Sequence, residues 1–327
     1  MHSRSVTVRA HSAPLRTTFA ISRGQKTKAE TVRVEIRQVN AVGRGECVPY
    51  PRYRESVESV MGQIEAMRPA LETGLDKVYL QTAMPAGAAR CAIDCALWDL
   101  EAKMTGIPVW KRAGLATPNP VETAETVSLA SPGEMADAAS RVSGSLLKLK
   151  LGSGSDLACV EAVHRARPMA RLILDGNEGI AADQLPGLCE AAADLGVVLI
   201  EQPLPSARDS KLQKSRYRIP ICADESAHAS ADISELVPFY DSVNIKLDKA
   251  GGFTEALKMI AAARQAKMSV MMGCMVAGSL SMAPAVLLAQ LADYADLDGP
   301  LWLAEDIENG LKYKGGWIEP PSTELWG

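Results

Sequence analysis

The stretch "SLLKLKLG" (145–152) places two lysines in a run that is otherwise rich in leucine. Side chains of a β-strand alternate between two faces, so Lys148 and Lys150 point to one face and the intervening leucines point to the other. A half-exposed strand whose lysine face lies in water is the simplest interpretation. Lysine is almost never fully buried unless it is paired. The alternative is therefore a buried strand whose lysines have charged partners.

Similar short runs recur from about residue 121 and predict a parallel (β/α) barrel. Each run ends in polar residues and is followed by a helical pattern, as at 253–267 and 279–295. Successive runs are spaced by about 20 to 27 residues, the length of one βα unit. Eight such strands fit a barrel, and the alternative of a doubly wound open sheet lacks a GxGxxG motif after an early strand. The predicted strands are 125–130, 146–151, 171–177, 197–203, 220–226, 242–248, 269–275 and 298–304.

The residues before the barrel have a different pattern and predict an α+β domain. Segments 5–11 and 29–40 alternate like antiparallel strands, with "SRGQKTK" (22–28) as the loop between them. Amphipathic helical patterns follow at 55–74 and 87–106, and each is closed by a glycine after its last turn.

The chain is therefore predicted to consist of two domains and a tail. The α+β domain covers residues 1–117 and the barrel covers residues 118–304. The tail at 305–327 has no role in the barrel pattern, and we expect it to return to the first domain.

Composition narrows the classes of function. Apolar residues make up 47% and charged residues 23% of the 327 residues, as in ordinary soluble globular proteins. The net charge of −4 gives no electrostatic footprint for nucleic acid, and no run approaches the roughly 18 apolar residues of a membrane span. Seven scattered cysteines without a CxxC motif argue against a disulfide scaffold or a zinc site. We expect a cytoplasmic protein with a small-molecule substrate, and the sequence leaves a homo-oligomer open.

Charged residues stand at the carboxyl ends of successive predicted strands, where barrel enzymes place their chemistry. Those positions are Lys148, Lys150, Asp175, Glu201, Asp224 and Lys246. Neighbouring parallel strands lie about 4.8 Å apart, so the three carboxylates would converge on one ion, and without a cation they would repel each other. Oxygen ligands select a hard cation, and Mg²⁺ is the default choice. This pattern disfavours a lysine face in water.

The same pattern predicts proton transfer at an α-carbon. A carboxylate substrate chelated to Mg²⁺ would have its α-proton acidified, because the metal stabilises the enediolate formed on deprotonation. Lys150 and Lys246 would approach the α-carbon from opposite sides, as a 1,1-proton transfer with inversion requires. A free lysine, with a pKa of about 10.4, is a poor base at neutral pH. Lys148 and the metal would lower the pKa of Lys150.

The ordered set "KLK", "DGNEG", "EQP", "ADES" and "NIKLDKAGG" resembles the muconate lactonizing enzyme subgroup of the enolase superfamily. The resemblance covers nearly the whole chain. It implies an α+β capping domain, a modified (β/α)₇β TIM-type barrel and an enolate stabilised on Mg²⁺. Segments 43–56 and 85–100, together with "DLDGP" (296–300), are similar to dipeptide epimerases of the L-Ala-D/L-Glu type.

The resemblance assigns the same three carboxylates to the metal and the same lysines to proton transfer. It adds Asp296 and Asp298 of "DLDGP" as the pocket for the α-ammonium of the dipeptide, and a buried cation does need a carboxylate partner. A turn is the other interpretation of that segment. The resemblance also places Arg23 in a loop over the barrel mouth, where it would pair with the side-chain carboxylate of the second residue. A solvated loop charge is the alternative for Arg23.

Two departures from the family pattern bear on the substrate rather than on proton transfer. Segment 273–282 lacks the glutamate that many members place soon after a methionine on the seventh strand, and Arg54 stands where a smaller residue is usual. The leading hypothesis is a Mg²⁺-dependent dipeptide epimerase. A cycloisomerase or an o-succinylbenzoate-synthase-like dehydratase is the second, although substrates without an ammonium group fit "DLDGP" poorly. A catalytically silent binding protein is the third, and the complete set of charged residues argues against it.

Overall fold

The computed structural model describes residues 4–152, 154 and 156–327, so residues 1–3 of the predicted first domain lie outside it. The described chain contains an antiparallel sheet of three strands, a parallel sheet of eight strands and a small sheet of three strands.

The N-terminal capping domain packs one face of an antiparallel sheet against helices. Val32, Val34 and Ile36 alternate along one strand and are fully buried, because every second residue faces the helices. The domain consists of β1 (Arg4–Ile21), β2 (Gly24–Gln38), β3 (Ala41–Cys47), α1 (Val57–Glu72), α2 (Lys77–Ala83), α3 (Ala88–Thr105) and α4 (Val109–Arg112).

The predicted loop at 22–28 is wrong. Ile21 pairs with Gly24 and Phe19 pairs with Lys26, so only Ser22 and Arg23 form the turn between β1 and β2. The polar side chains of this segment are exposed, and backbone pairing rather than side-chain burial keeps them in the strand.

The barrel is an all-parallel sheet whose strands follow one another in chain order. Seven of the eight predicted strands are confirmed. The strands are β5 (Glu125–Val127), β6 (Leu146–Lys150), β7 (Arg171–Asp175), β8 (Val197–Glu201), β9 (Ile221–Ala223), β10 (Ser242–Lys246), β11 (Ser269–Gly273) and β12 (Tyr294–Asp296). The helices are α5 (Pro132–Arg141), α6 (Asp156–Ala166), α7 (Leu185–Ala192), α8 (Ile233–Leu236), α9 (Leu247–Ala250), α10 (Phe253–Gln265) and α11 (Ser279–Ala289).

The eighth strand predicted at 298–304 is wrong. The strand that pairs with β11 is β12, and residues Gly299–Trp302 form a 3₁₀ turn instead. Pro300 has no N–H for a sheet ladder and favours the first positions of such a turn. The helix predicted over 279–295 consequently ends earlier, at Ala289.

The barrel is nearly closed between its first and last strands. Ala124 N donates a 2.8 Å hydrogen bond to Ala295 O, and Leu297 N donates a 2.8 Å hydrogen bond to Thr123 Oγ1. The lower interior is filled by an apolar cluster of Ala124, Leu146, Ile173, Leu199, Cys222 and Met271. Because inward positions recur every second residue, the next inward layer along the strands carries the charged residues.

The C-terminal segment contacts both domains. Strands β13 (Tyr313–Lys314) and β14 (Trp317–Ile318) form a sheet with β4 (Val121–Glu122). Trp326 is buried, and its indole N–H donates to the carbonyls of Arg44 and Cys95 in the capping domain. None of the helices in the described part of the chain combines the length and apolar character that a membrane crossing requires.

Candidate active site

The carboxyl ends of the central barrel strands bring the predicted carboxylates together. Lys150 lies opposite Asp175 in the strand register, and Asp175 lies opposite Glu201. Glu201 pairs in turn with Cys222, two residues before Asp224. All three carboxylate residues are buried, with at most 2% of their surface exposed. Because side chains alternate between the two faces of a strand, these carboxylates and the lysines of β6 point into the barrel.

Lys148 lies at the centre of this cluster and is only 1% exposed. Its ammonium is 2.6 Å from a carboxylate oxygen of Glu201, 2.7 Å from one of Asp296 and 3.0 Å from one of Asp175. The interpretation of "SLLKLKLG" as a half-exposed strand is therefore wrong. Leu147, Leu149 and Leu151 pack outward into the core beneath the helices, while the lysines are paired inside the barrel.

The other two lysines reach the cavity from opposite sides. Lys150 Nζ lies 2.6 Å from Asp175 Oδ2, and Lys246 Nζ lies 2.7 Å from Asp224 Oδ2. Their strands, β6 and β10, are four positions apart in the eight-stranded order, so they stand across the barrel from each other. Both lysines line the same cavity.

Burial and neighbouring charges act in opposite directions on the pKa values of the buried lysines. Burial alone would lower the pKa of Lys246, but Asp224 and Glu201 hold it well above its ordinary value. Lys148 behaves in the same way beside its carboxylates, which raise its pKa. Burial and the charge of Asp175 raise the pKa of Glu201 to about 8. The cluster therefore carries more buried negative charge than its lysines fully compensate.

The carboxylate oxygens of this cluster form the predicted metal site. Within residues 4–152, 154 and 156–327, no group of three or more His, Cys, Asp or Glu side chains is arranged so that it could hold a metal as it stands. The ammonium groups of the lysines lie among the carboxylates instead. Glu201 Oε2 nevertheless has no hydrogen-bond donor among the described residues, since its contact with Lys148 lacks hydrogen-bond geometry. A set of buried, hard carboxylate donors fits a divalent cation chemically.

Three residues that sequence reasoning missed hold the carboxylates in place. Lys249 Nζ lies 2.6 Å from Asp224 Oδ1, and Asn244 Nδ2 donates a 2.6 Å hydrogen bond to Glu201 Oε1. Gln202 Oε1 accepts a 2.8 Å hydrogen bond from Asp224 N. The spacing of three residues between Lys246 and Lys249 was a usable signal, because residues three apart on a helical turn share a face. Nothing in the local sequence marked the other two.

Gly273 gives Asn244 the room that this arrangement needs. A Cβ at position 273 would come within 2.3 Å of Asn244 Oδ1. The two residues lie on adjacent strands, where Asn244 is opposite Met271. A glycine at the end of β11 therefore allows Asn244 to point inward and reach Glu201.

The cavity above the charged layer has a volume of about 340 Å³ and is walled by both domains. Arg23 lies over its mouth, with Nη2 2.7 Å from Glu225 Oε1 and Nη1 donating to Asn177 O at 2.7 Å. Arg23 is thus not a purely solvated loop charge. Arg54 is exposed and does not line the cavity, whereas Arg52 does. The capping domain contributes Phe19, Ile21, Arg23, Gly24, Lys26, Tyr50, Pro51, Arg52 and Tyr53 to the lining.

Asp296 and Asp298 lie beside this cavity without lining it. Asp296 contacts Lys148, while Asp298 Oδ2 accepts hydrogen bonds from Thr126 N at 2.7 Å and Trp302 Nε1 at 3.1 Å. Burial and the charge of Asp296 raise the pKa of Asp298 to about 6. Their assignment to a substrate ammonium stays a prediction.

Family models match both parts of the chain. The model described as "Enolase C-terminal domain-like" matches residues 134–324, and the model described as "Mandelate racemase / muconate lactonizing enzyme, N-terminal domain" matches residues 3–114. The chain belongs to the enolase superfamily. The resemblance to its muconate lactonizing enzyme subgroup, stated from the motifs, is confirmed.

Two curated relatives of this enolase superfamily member are amino acid epimerases or racemases. The L-Ala-D/L-Glu epimerase of Escherichia coli (strain K12) is 44% identical over 316 residues, which cover 96% of this chain and 98% of the relative. The N-acetyl-D-glutamate racemase of Pseudoalteromonas sp. is 40% identical over 288 residues, which cover 87% of this chain and 91% of the relative.

Two solved structures have the same fold over their full lengths. An enolase family member from Agrobacterium tumefaciens with homology to dipeptide epimerases, with bound sodium and L-Ala-L-Glu, has a TM-score of 0.97 and 47% identity, covering 99% of this chain and 100% of that chain. The dipeptide epimerase from Enterococcus faecalis V583, complexed with Mg and the dipeptide L-Leu-L-Tyr, has a TM-score of 0.91 and 30% identity, covering 98% of this chain and 97% of that chain.

Proposed function

We propose that this enolase superfamily member is a dipeptide epimerase that inverts the α-carbon of the C-terminal residue, with L-Ala-D/L-Glu the first substrate to test. The observation that carries the proposal is the placement of Lys150 and Lys246 on opposite strands, facing one cavity. Inversion needs a proton acceptor on one face of the carbon and a donor on the other. The epimerase and racemase relatives support the same reaction class.

A divalent cation, Mg²⁺ by the chemistry of the donors, would be held by Asp175, Glu201 and Asp224. Bound there, it would stabilise the negative charge that develops on the substrate carboxylate as the α-proton leaves. The Enterococcus faecalis epimerase, complexed with Mg and a dipeptide, supports this choice.

The protein's own residues divide the remaining work. Lys246 takes the α-proton of one diastereomer while Lys150 supplies a proton to the opposite face, and the roles reverse for the other diastereomer. The carboxylates now raise the pKa of Lys246, so it can act as a base only when their charge is neutralised. Lys148 holds the carboxylates of Asp175, Glu201 and Asp296 in position by contacting all three. Arg23 would meet an acidic side chain of the substrate at the cavity mouth.

The two-base assignment is tested by following α-proton exchange in D₂O by NMR, starting from each pure diastereomer. Lys150→Ala and Lys246→Ala should both lose epimerisation, because neither retains a proton donor on both faces. Each should still exchange the α-proton of one diastereomer, and the two variants should prefer opposite ones. Lys28→Ala, which alters an exposed ion pair with Glu30, is the control and should exchange both. Matching preferences in the two variants would contradict the assignment.

Racemisation of an N-acylated amino acid is the second candidate function. It is favoured by the N-acetyl-D-glutamate racemase relative and by the position of Asp298, whose carboxylate is engaged by Thr126 and Trp302 outside the cavity lining. Such a substrate has no free α-ammonium. Asp298→Asn should weaken binding of free dipeptides much more than that of N-acetylglutamate if the ammonium pocket is correct. Equal effects on both substrates would favour the second candidate.

A further inference from the structure

Glu178 lies where two loops of the capping domain meet the barrel. Its carboxylate receives two hydrogen bonds from Arg52, Nε to Oε2 at 2.9 Å and Nη2 to Oε1 at 2.8 Å. Arg23 Nη1 approaches the same carboxylate at 3.3 Å, and the backbone N–H of Ser206 donates to Oε1 at 2.9 Å. The carboxylate of Glu178 therefore connects two parts of the capping domain, the β1–β2 turn and the segment of Arg52, with the barrel loops that contain Glu178 and Ser206.

The position of this carboxylate is fixed from the barrel side. Glu178 has a left-handed backbone with φ of 67°, and its N–H donates a 2.9 Å hydrogen bond to Gln202 O. Its side chain is only 9% exposed, although the arginines that contact it are 28% and 38% exposed. A non-glycine residue keeps a positive φ only where its surroundings impose it. The backbone contact of Glu178 thus holds its carboxylate on the barrel, and the two arginines reach it from the capping domain.

The two loops supply the outer wall of the cavity. The end of the β1–β2 hairpin contributes Arg23 and Gly24, and the other segment contributes Tyr50, Arg52 and Tyr53. Charge-assisted bidentate pairs between arginine and carboxylate are among the stronger polar contacts in proteins. A contact that holds both loops from below would therefore govern how long a ligand stays in the cavity.

We propose that Glu178 is the barrel-side anchor that keeps both capping-domain loops closed over the cavity. It is a positioning residue, because it acts through Arg23 and Arg52 and does not line the cavity itself. The same segment also reaches the charged layer, since Asn177 N donates a 2.9 Å hydrogen bond to Asp175 Oδ1. Glu178 is thus three residues from Asp175 along the chain, and the intervening Asn177 is bonded to that carboxylate.

The test is hydrogen–deuterium exchange of Glu178→Gln in the absence of substrate. Glutamine keeps the size and one acceptor oxygen but removes the charge. Amide exchange in residues 50–54 should accelerate about tenfold, as expected for the loss of a charged hydrogen-bond pair. Exchange in residues 22–26 should accelerate less, because Arg23 also contacts Glu225 and Asn177. Unchanged exchange in either segment would overturn the proposal.

The matched control is Glu30→Gln, which removes an exposed partner of Lys28 on the same hairpin and should leave both segments unchanged. Arg52→Gln provides the same test from the capping side if Glu178→Gln should lower the unfolding temperature. Its effect on residues 50–54 should not add to that of Glu178→Gln, because both remove one contact. Additive effects would show that the two residues act separately and would overturn the proposal.

If the protein is an epimerase as proposed, loss of the Glu178 anchor should also change its kinetic constants. Glu178→Gln should raise KM about tenfold and change kcat little, since the lysines and carboxylates of the barrel stay in place. A fall in kcat at unchanged KM would contradict a role in loop closure. The exchange measurement does not depend on which substrate the protein accepts. Failure of the epimerase assignment would thus leave the exchange result as an independent test.

Discussion

Replacing Lys148 by methionine should lower the free energy of unfolding by about 3–5 kcal/mol at pH 8. That is the usual cost of removing one partner from a buried ion pair, because the remaining charge is left uncompensated. The ammonium of Lys148 contacts Asp175, Glu201 and Asp296 within 3.0 Å and is 1% exposed. Methionine preserves most of the apolar stem, so a cavity contributes little. The loss is large against a total stability of about 5–15 kcal/mol.

The assay is urea unfolding followed by tryptophan fluorescence at pH 8 and pH 5, without and with Mg²⁺. The destabilisation should be smaller at pH 5, because Glu201, whose pKa is raised to about 8, is then protonated, whereas at pH 8 it is partly ionised. Mg²⁺ should restore part of the loss by replacing the missing cation. Lys28→Met is the control, since its exposed pair with Glu30 is worth at most about 1 kcal/mol.

Equal stability of Lys148→Met and the unmodified protein at pH 8 in the absence of metal would contradict this prediction. That result would mean that the carboxylates are already neutralised by Lys246 and Lys249 or by protons. A destabilisation that is independent of both pH and Mg²⁺ would likewise contradict an electrostatic cause and point to packing.

Three further predictions concern the same layer. Asp224→Asn should abolish α-proton exchange and weaken Mg²⁺ binding measured by calorimetry while circular dichroism stays unchanged; near-full turnover would remove this residue from the site. Gly273→Ala should reduce activity at least about tenfold, because the new methyl group displaces Asn244 from Glu201; Gly62→Ala, on the open face of α1, is the control and should be neutral or stabilising. Stability of the metal-free protein should fall as the pH rises from about 4.3, the pKa of an unfolded glutamate, through about 8, the raised pKa of Glu201. The folded state holds that proton longer than the unfolded state does. Urea titrations across this range should show the fall, and saturating Mg²⁺ should reduce it.

The barrel was predictable because its signals are local. The inward direction of Lys148 and Lys150 follows from the period of two within one strand, and the strand ends are marked by the change from apolar to charged residues. The eighth strand was misplaced because Tyr294–Asp296 is less apolar than the run "LWLA" that follows Pro300. The apolar run after Pro300 has the composition of a strand. Pro300 itself has no backbone N–H, so it cannot donate to the hydrogen bonds of a sheet.

The supporting contacts of the site could not be predicted from the sequence in the same way. Asn244 meets Glu201 and Gln202 meets Asp224 only after strands distant in the chain have been placed side by side. The turn at Ser22 and Arg23 was hidden by polar residues that are exposed and yet paired through their backbone. Each of these errors concerns a contact made by the backbone or between strands, which residue type alone does not encode.

The two domains contribute different kinds of residue to the cavity. Lys150, Lys246 and the carboxylates of the charged layer come from the barrel, whereas Phe19, Tyr50 and Arg52, which form the outer wall, come from the capping domain. Substitutions in the outer wall can alter which side chain fits without moving a proton-carrying group. Selection for a new substrate could therefore act on the nine lining positions of one domain while the other domain retains its chemistry. Mutational libraries restricted to the capping lining should accordingly yield many folded variants with altered preference, and libraries of the barrel strand ends should yield few active ones.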